Sequence, residues 1–140
     1  MTISNIAGNA FADAIVTALH PTSGTATLGT LTVTFPIKIR LMTANGSATA
    51  AGTELTSGGS YVAGTGISTA TNWAAVSAGS QATNAVLSQT NMPAATIVGI
   101  ELWDSNGTPK RTEFGSITSK TTVAGDTLSF ASGAITSALT

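Results

Sequence analysis

The chain lacks cysteine and is poor in charge. Without cysteine it can form neither a disulfide framework nor a thiolate metal site. Charged residues make up 8% of its 140 residues, against about 25% in an average soluble domain. Five Lys and Arg stand against six Asp and Glu, a net charge of −1, which excludes a polycationic nucleic-acid binder and an acidic tail. The apolar share of 42% is too high for a disordered chain.

Residues for acid–base chemistry are also scarce. His20 is the only histidine, and we interpret it as a residue near a helix C-terminus, where its ring meets free carbonyls. A general base beside a carboxylate is the alternative. Glu101 and Glu113 could face each other across a hairpin as a glycosidase pair, but cross-strand salt bridges with Lys110 and Arg111 are the simpler interpretation. We expect no enzyme: no catalytic residue, no cofactor and no metal site.

Signals for secretion and membrane insertion are weak. The N-terminus lacks the positive region of a signal peptide. The longest apolar run, residues 6–19, contains Asn9, Asp13 and Thr17 and is too short for a membrane span. We therefore expect no membrane partner and no export through a signal peptide.

The first twenty residues have a helical pattern. Apolar residues recur at steps of three and four, and Pro21 ends the run, so a helix is predicted over about residues 3–19. Its small, alanine-rich face either covers the chain's own β domain or docks onto a neighbouring subunit. Ile6, Phe11 and Ile15 are its candidate interface residues. The predicted organisation is an N-terminal helix or arm over 1–20 and a β domain over 21–140.

After Pro21 the apolar period becomes two, which is typical of half-buried strands. Asn106-Gly107, between two strong strand candidates, predicts a hairpin. Residues 47–80 are rich in small residues and predict broad loops with weak strands near 60–63 and 73–77. The strands otherwise predicted are 30–35, 37–42, 84–90, 96–104, 111–117, 121–123, 127–130 and 134–139. Short strands at this spacing favour a mainly β fold, an antiparallel β-sandwich of jelly-roll or immunoglobulin-like type, with one N-terminal α-helix.

Aromatic residues make up only 5% of the chain. We predict that Phe35, Phe114 and Phe130 lie in the core. Tyr61, Trp73 and Trp103 are candidates for stacking on a sugar or a partner, and Trp73 and Trp103 join the candidate interface. Trp103, on the same strand face as Glu101, is the stronger surface candidate.

Several segments, taken in order, carry a family resemblance. They are the strand of residues 35–42, the Gly/Thr loop 43–54, the Gly-Gly-Ser-Tyr element 58–61, the segment 91–104 and the C-terminal stretches 114–118 and 123–135. In this order they resemble a family of small virion proteins of tailed bacteriophages, often called tail-fibre or minor tail proteins. Gly64-Thr65-Gly66 departs from the family pattern, which continues a strand there. The resemblance implies an antiparallel β-sandwich virion component without catalytic residues.

Physical considerations favour one place on such a particle. A receptor-reaching fibre gains its length from repeats or a coiled coil, and this chain has neither pattern. A low-charge surface packs against symmetry mates without desolvating ions. We therefore expect a homo-oligomeric capsid decoration or cement protein, for which a trimer is one candidate form, located in the virion and assembled in the host cytoplasm. Its partners would be itself and the major capsid or tail proteins. The alternatives are a minor tail or tail-fibre subunit, or a carbohydrate-binding module that binds a host glycan through Tyr61, Trp73 or Trp103.

Overall fold

The structure, a computed structural model, describes residues 15, 17–20, 23–28, 31–70 and 72–138. Within these residues the chain is mainly β, as predicted, and its strand pairs are antiparallel. The strands are β1 (Thr25–Leu28), β2 (Leu31–Thr34), β3 (Lys38–Ala44), β4 (Thr53–Glu54), β5 (Ile67–Ser68), β6 (Ser80–Ala82), β7 (Leu87–Gln89), β8 (Ala95–Trp103), β9 (Arg111–Thr122), β10 (Leu128–Phe130) and β11 (Thr136–Ala138).

The central sheet contains five strands in the order β4-β3-β8-β9, with β5 pairing β3 beside β4. β8 and β9 form the hairpin that Asn106-Gly107 predicts. In the described part of the chain β9 pairs only with β8, so β9 is an edge of this sheet. Three two-stranded ribbons accompany the central sheet: β1–β2, β7–β10 and β6–β11.

The core lies against one face of the central sheet. Ile39 and Leu41 of β3 and Ile100 and Leu102 of β8 alternate with residues of the other face, and all four are buried. Side chains from the ribbons and loops complete the same cluster: Val33, Ile37, Leu55, Tyr61, Ile67, Trp73, Leu87, Met92, Ile97, Leu128, Phe130 and Ile135. The predicted core position of Phe130 is confirmed.

Most of the predicted N-terminal helix, with Ile6 and Phe11, lies outside the described residues. Ile15 and residues 17–19 are helical, and Ile15 is half-buried. The helix prediction is therefore matched only at its C-terminal end.

The segment 47–80 differs in detail from its prediction. The strands expected near 60–63 and 73–77 do not form; Tyr61, Trp73 and Ser77 make only isolated bridges. Tyr61 and Trp73 instead insert their rings into the core and anchor loops there. The strands of this segment are β4, β5 and β6, two or three residues each, too short for a periodic signal. The sequence pattern also did not predict β1, which consists of Thr, Ala and Leu.

Candidate interaction surface

Five side chains share the outer face of the central sheet. Arg40 is opposite Glu101, Glu101 is opposite Phe114, and Trp103 is opposite Arg111. Because directly opposed residues of antiparallel strands point to the same side, these five lie on one face. Charged and aromatic groups therefore meet on the side of the sheet that faces away from the core.

Glu101 is the centre of this face. Its side chain is 1% exposed, and Arg111 Nη1 lies 2.8 Å from Oε1. The backbone N–H of Gly52 donates to Oε1 at 2.7 Å, and the indole Nε1–H of Trp103 donates to Oε2 at 3.0 Å. A buried carboxylate is tolerated when it is paired and hydrogen-bonded in this way.

Arg111 also holds the loop of residues 45–52 against the sheet. Its guanidinium donates to the carbonyl oxygen of Ala50 at 2.8 Å and of Ser47 at 2.5 Å. The loop approaches so closely that a Cβ on Gly46 would lie 2.5 Å from Glu101 Oε1. The glycine is therefore required by close packing, and this loop is anchored to the sheet.

Trp103 is covered by a cation. The guanidinium carbon of Arg40 lies 4.1 Å from the centre of a Trp103 ring, and Arg40 Nη1 lies 3.6 Å from Glu54 Oε2. The Tyr61 hydroxyl donates to Glu54 at 2.8 Å and accepts the backbone N–H of Leu41 at 3.0 Å. Burial is the main cause that raises the pKa of Tyr61 well above its ordinary value.

A second polar cluster lies on the opposite face of β9. His20 Nε2 is 3.0 Å from Glu113 Oε1, and the Ser137 hydroxyl donates to the same oxygen at 2.6 Å. The His20 ring stacks on Trp73 with centroids 4.6 Å apart. Burial raises the pKa of Glu113, but His20 and Ser137 outweigh it, so the net pKa lies below the ordinary value.

These two clusters bear on three sequence interpretations. His20 directly follows the helical residues 17–19, as predicted, but its buried ring stacks on Trp73 and lies beside the carboxylate of Glu113. Glu101 and Glu113 lie on opposite faces of the sheet, since they occupy successive register positions, and do not form a glycosidase pair. Of the predicted salt bridges, Glu101–Arg111 is confirmed, whereas Glu113 pairs with His20 and not with Lys110.

The arrangement around Ser137 does not resemble a nucleophile and its base. The Ser137 hydroxyl donates to Glu113, and His20 contacts the same carboxylate oxygen. In a hydrolase triad the histidine stands between the serine and the acid. Within the described ranges, no three His, Cys, Asp or Glu side chains converge as metal ligands. In that same part of the chain, no helix has the length and apolar character needed to cross a bilayer.

Phe114 is exposed, contrary to its predicted core position. It is 46% exposed, and the guanidinium carbon of Arg111 lies 4.8 Å from its ring centre. Phe114 opposes Glu101 on the outer face, and the alternation of the strand therefore directs it away from the core. Three grooves, of about 170, 210 and 330 Å³, adjoin it on the two faces of β9. The 330 Å³ groove is also lined by Ile15 and Leu19.

The structure separates the predicted interface residues. Trp73 is 4% exposed and belongs to the core, and Trp103 lies beneath Arg40. Ile15 lines a groove beside Phe114, while Ile6 and Phe11 lie outside the described residues. Among the described residues the exposed aromatic is Phe114, and the signal that the sequence offers for it is the uncharged run 114–119 within a strand. Comparisons with protein families, with curated proteins and with solved structures give no match to this chain.

Proposed function

We propose that this chain is a bacteriophage virion structural protein, a homo-oligomeric capsid decoration or cement protein without catalytic activity. In this proposal the antiparallel sheets pack as a sandwich, and the protein acts by adhesion to neighbouring subunits. The virion assignment is supported by the family resemblance, which rests on the order in which the segments between residues 35 and 135 follow one another. The geometry supports the adhesive mechanism.

The observation that carries the proposal is the use of the acidic side chains. Every carboxylate among the described residues is engaged within the chain. Glu54, Glu101 and Glu113 take part in ion pairs. Asp104 accepts the backbone N–H groups of Thr34 and Lys110, and Asp126 accepts that of Val123. The acids hold loops and strand ends together, which is a structural use.

This internal pairing leaves a nearly neutral exterior. In the described part of the chain the cations without an ion pair are Lys38, Lys110 and Lys120, which lie on β3, before β9 and within β9. The rest of the exposed surface is dominated by Thr, Ser, Ala and Gly. Such a surface can be buried against another protein without removing many ions from water.

No observation favours the carbohydrate-binding alternative. Tyr61 and Trp73 are buried, and Arg40 covers a ring of Trp103. A sugar-binding platform needs an open aromatic face, and these three side chains do not assemble one.

The test is a cryo-EM reconstruction of the phage particle that carries this chain. We expect density that fits the β domain at regular positions on the head, and loss of that density after mild stripping. Re-addition of the purified full chain should restore it. Density confined to the tail would overturn the decoration assignment in favour of a minor tail subunit. Absence of the chain from purified particles would overturn the virion assignment altogether.

A further inference from the structure

We propose that the free edge of β9 is the surface through which two copies of this chain associate, by antiparallel pairing of one β9 with the β9 of a second copy, with Phe114 at its centre. The inference rests on the self-association in the proposed function, but not on a place in a virion. It names the surface and the occupant.

The first argument is the length and pairing of β9. At 12 residues it is the longest strand described, whereas a typical strand has about 5–6 residues. In the described ranges only β8 pairs with it. Every second residue of such a strand directs its N–H and C=O away from the paired neighbour, and a long row of unpaired groups is a template for another strand. The chemistry of the edge therefore selects an extended polypeptide.

The second argument is the scarcity of features that protect edges. Natural edge strands are protected by prolines, by shortness, by charge at their centre or by β-bulges. The centre of β9, residues 114–119, has no charge and no proline. Gly115 adds no obstruction, since nothing lies within 4 Å of where its Cβ would be. The register of β9 is irregular at Thr112 and at residues 117–119, opposite Val98, so the regular stretch of the edge is residues 113–116, around Phe114.

The third argument is charge compatibility between two copies. A two-fold axis can pass through Phe114, Gly115 or Ser116. Each residue that follows the axis by some number of positions then lies opposite the residue of the second copy that precedes the axis by the same number. For an axis through Phe114 or Ser116, Arg111, Glu113 and Lys120 face uncharged residues, whereas an axis through Gly115 would place Lys120 opposite Lys110 of the second copy. Like charges directly opposite one another destabilise a strand pair. The registers centred on Phe114 and Ser116 thus meet no like-charge repulsion along the edge, and the pair is expected in one of these two.

The fourth argument is the space beside the edge. A stable pair of proteins buries about 800 Å² on each partner, more than two backbones alone provide. Three grooves of about 170, 210 and 330 Å³ meet at Phe114 and open on both faces of β9. A second copy brings its own exposed Phe114 to this place. Strand pairing with groove filling gives the interface both its hydrogen bonds and its apolar area.

The test is sedimentation equilibrium of the purified full chain over a range of concentrations, with Phe114→Lys and Ser116→Lys as edge variants. Val62→Lys is the matched control, because Val62 is 54% exposed and lies outside β9. We expect wild type and Val62→Lys to associate equally. Both edge variants should dissociate at least about thirtyfold more readily, as for a central interface residue. Thermal melting shows whether each variant is folded.

Because the chain has no cysteine, single-cysteine cross-linking gives a second readout that tolerates small changes in stability. Directly opposed residues of antiparallel strands have Cα atoms about 4.5–5.5 Å apart, within disulfide range. The test variants are Phe114→Cys, Gly115→Cys and Ser116→Cys. The variant whose residue lies on the two-fold axis should form a disulfide dimer under mild oxidation. Val86→Cys, outside β9, is the control and should not.

A chain that stays monomeric at every concentration overturns the inference. So does self-association that neither edge variant weakens, with no cross-link along β9; another surface then joins the copies, and the proposed function stands. If the purified chain forms the β9 dimer but is missing from phage particles, the inference about β9 holds and the virion assignment fails.

Discussion

Glu101 and Arg111 form an ion pair across the β8–β9 hairpin with 2.8 Å between Oε1 and Nη1. The pair exists because the register shifts between Leu102 and Trp103: Leu102 opposes Glu113, yet Trp103 opposes Arg111, so Thr112 is an extra residue. A regular ladder would place Arg111 on the core face. The irregularity turns it to the face of Glu101, where it also binds the loop 45–52.

Arg111→Met is expected to destabilise the chain by about 3–5 kcal/mol, because it leaves the carboxylate of Glu101 buried without its cation. Chemical denaturation monitored by tryptophan fluorescence measures the loss. Lys120→Met is the control, an exposed cation on the same strand, with an expected change within about 0.5 kcal/mol. Equal losses in the two variants would contradict a structural role for the pair.

Gly46→Ala is expected to destabilise the chain by about 1–3 kcal/mol, as overpacking does. The new Cβ would lie 2.5 Å from Glu101 Oε1 and 2.6 Å from the backbone nitrogen of Gly52. Gly107→Ala is the matched control, since nothing lies within 4 Å of its Cβ position. Thermal unfolding of both variants makes the comparison, and a Gly46→Ala protein as stable as Gly107→Ala would show that the loop is free to move away.

Glu113 makes stability depend on pH in the acid range. Its folded-state pKa lies below the ordinary value of 4.5, so the unfolded chain binds the proton first as the pH falls. The stabilisation is fully present above about pH 4.5 and is lost as the pH falls through the folded pKa. Glu113→Gln should therefore flatten the acid limb of a stability–pH curve measured by urea unfolding.

Ser137→Ala tests the same carboxylate from its second partner. It removes the hydroxyl that helps to lower the pKa of Glu113, so the acid loss should be smaller than in wild type. Ser129→Ala, at an exposed serine of β10, should leave the acid limb unchanged. Identical acid limbs in wild type, Ser137→Ala and Ser129→Ala would contradict the contribution of the Ser137 hydroxyl to the lowered pKa of Glu113.

Tyr61 offers a direct optical test, because it is the only tyrosine. Its pKa is raised, with burial as the main cause, and the tyrosinate absorbance should therefore stay absent through the range in which free tyrosine titrates, near pH 10. It should appear only together with loss of the folded circular dichroism signal. Tyrosinate formed in the folded chain at the ordinary pH would contradict the buried contact with Glu54.

Secondary structure was predictable wherever its signal is local. The alternating pattern correctly predicted β3 from residues 37–42 and β8 from residues 96–104. The turn Asn106-Gly107 correctly predicted the hairpin of β8 and β9. The anchors in 47–80 were not predictable, because Tyr61 and Trp73 act through contacts with distant residues and not through a strand period.

The sequence by itself determined the mainly β class, the absence of cysteine chemistry and the low charge, since these follow from composition and short-range period. Only the tertiary structure decided which charges meet and which aromatic side chain is exposed. One extra residue, Thr112, reverses the face on which Arg111 lies, and Phe114 follows the outer face of Glu101. Strand register is a long-range property, and a shift by one residue moves a side chain to the opposite face of a sheet.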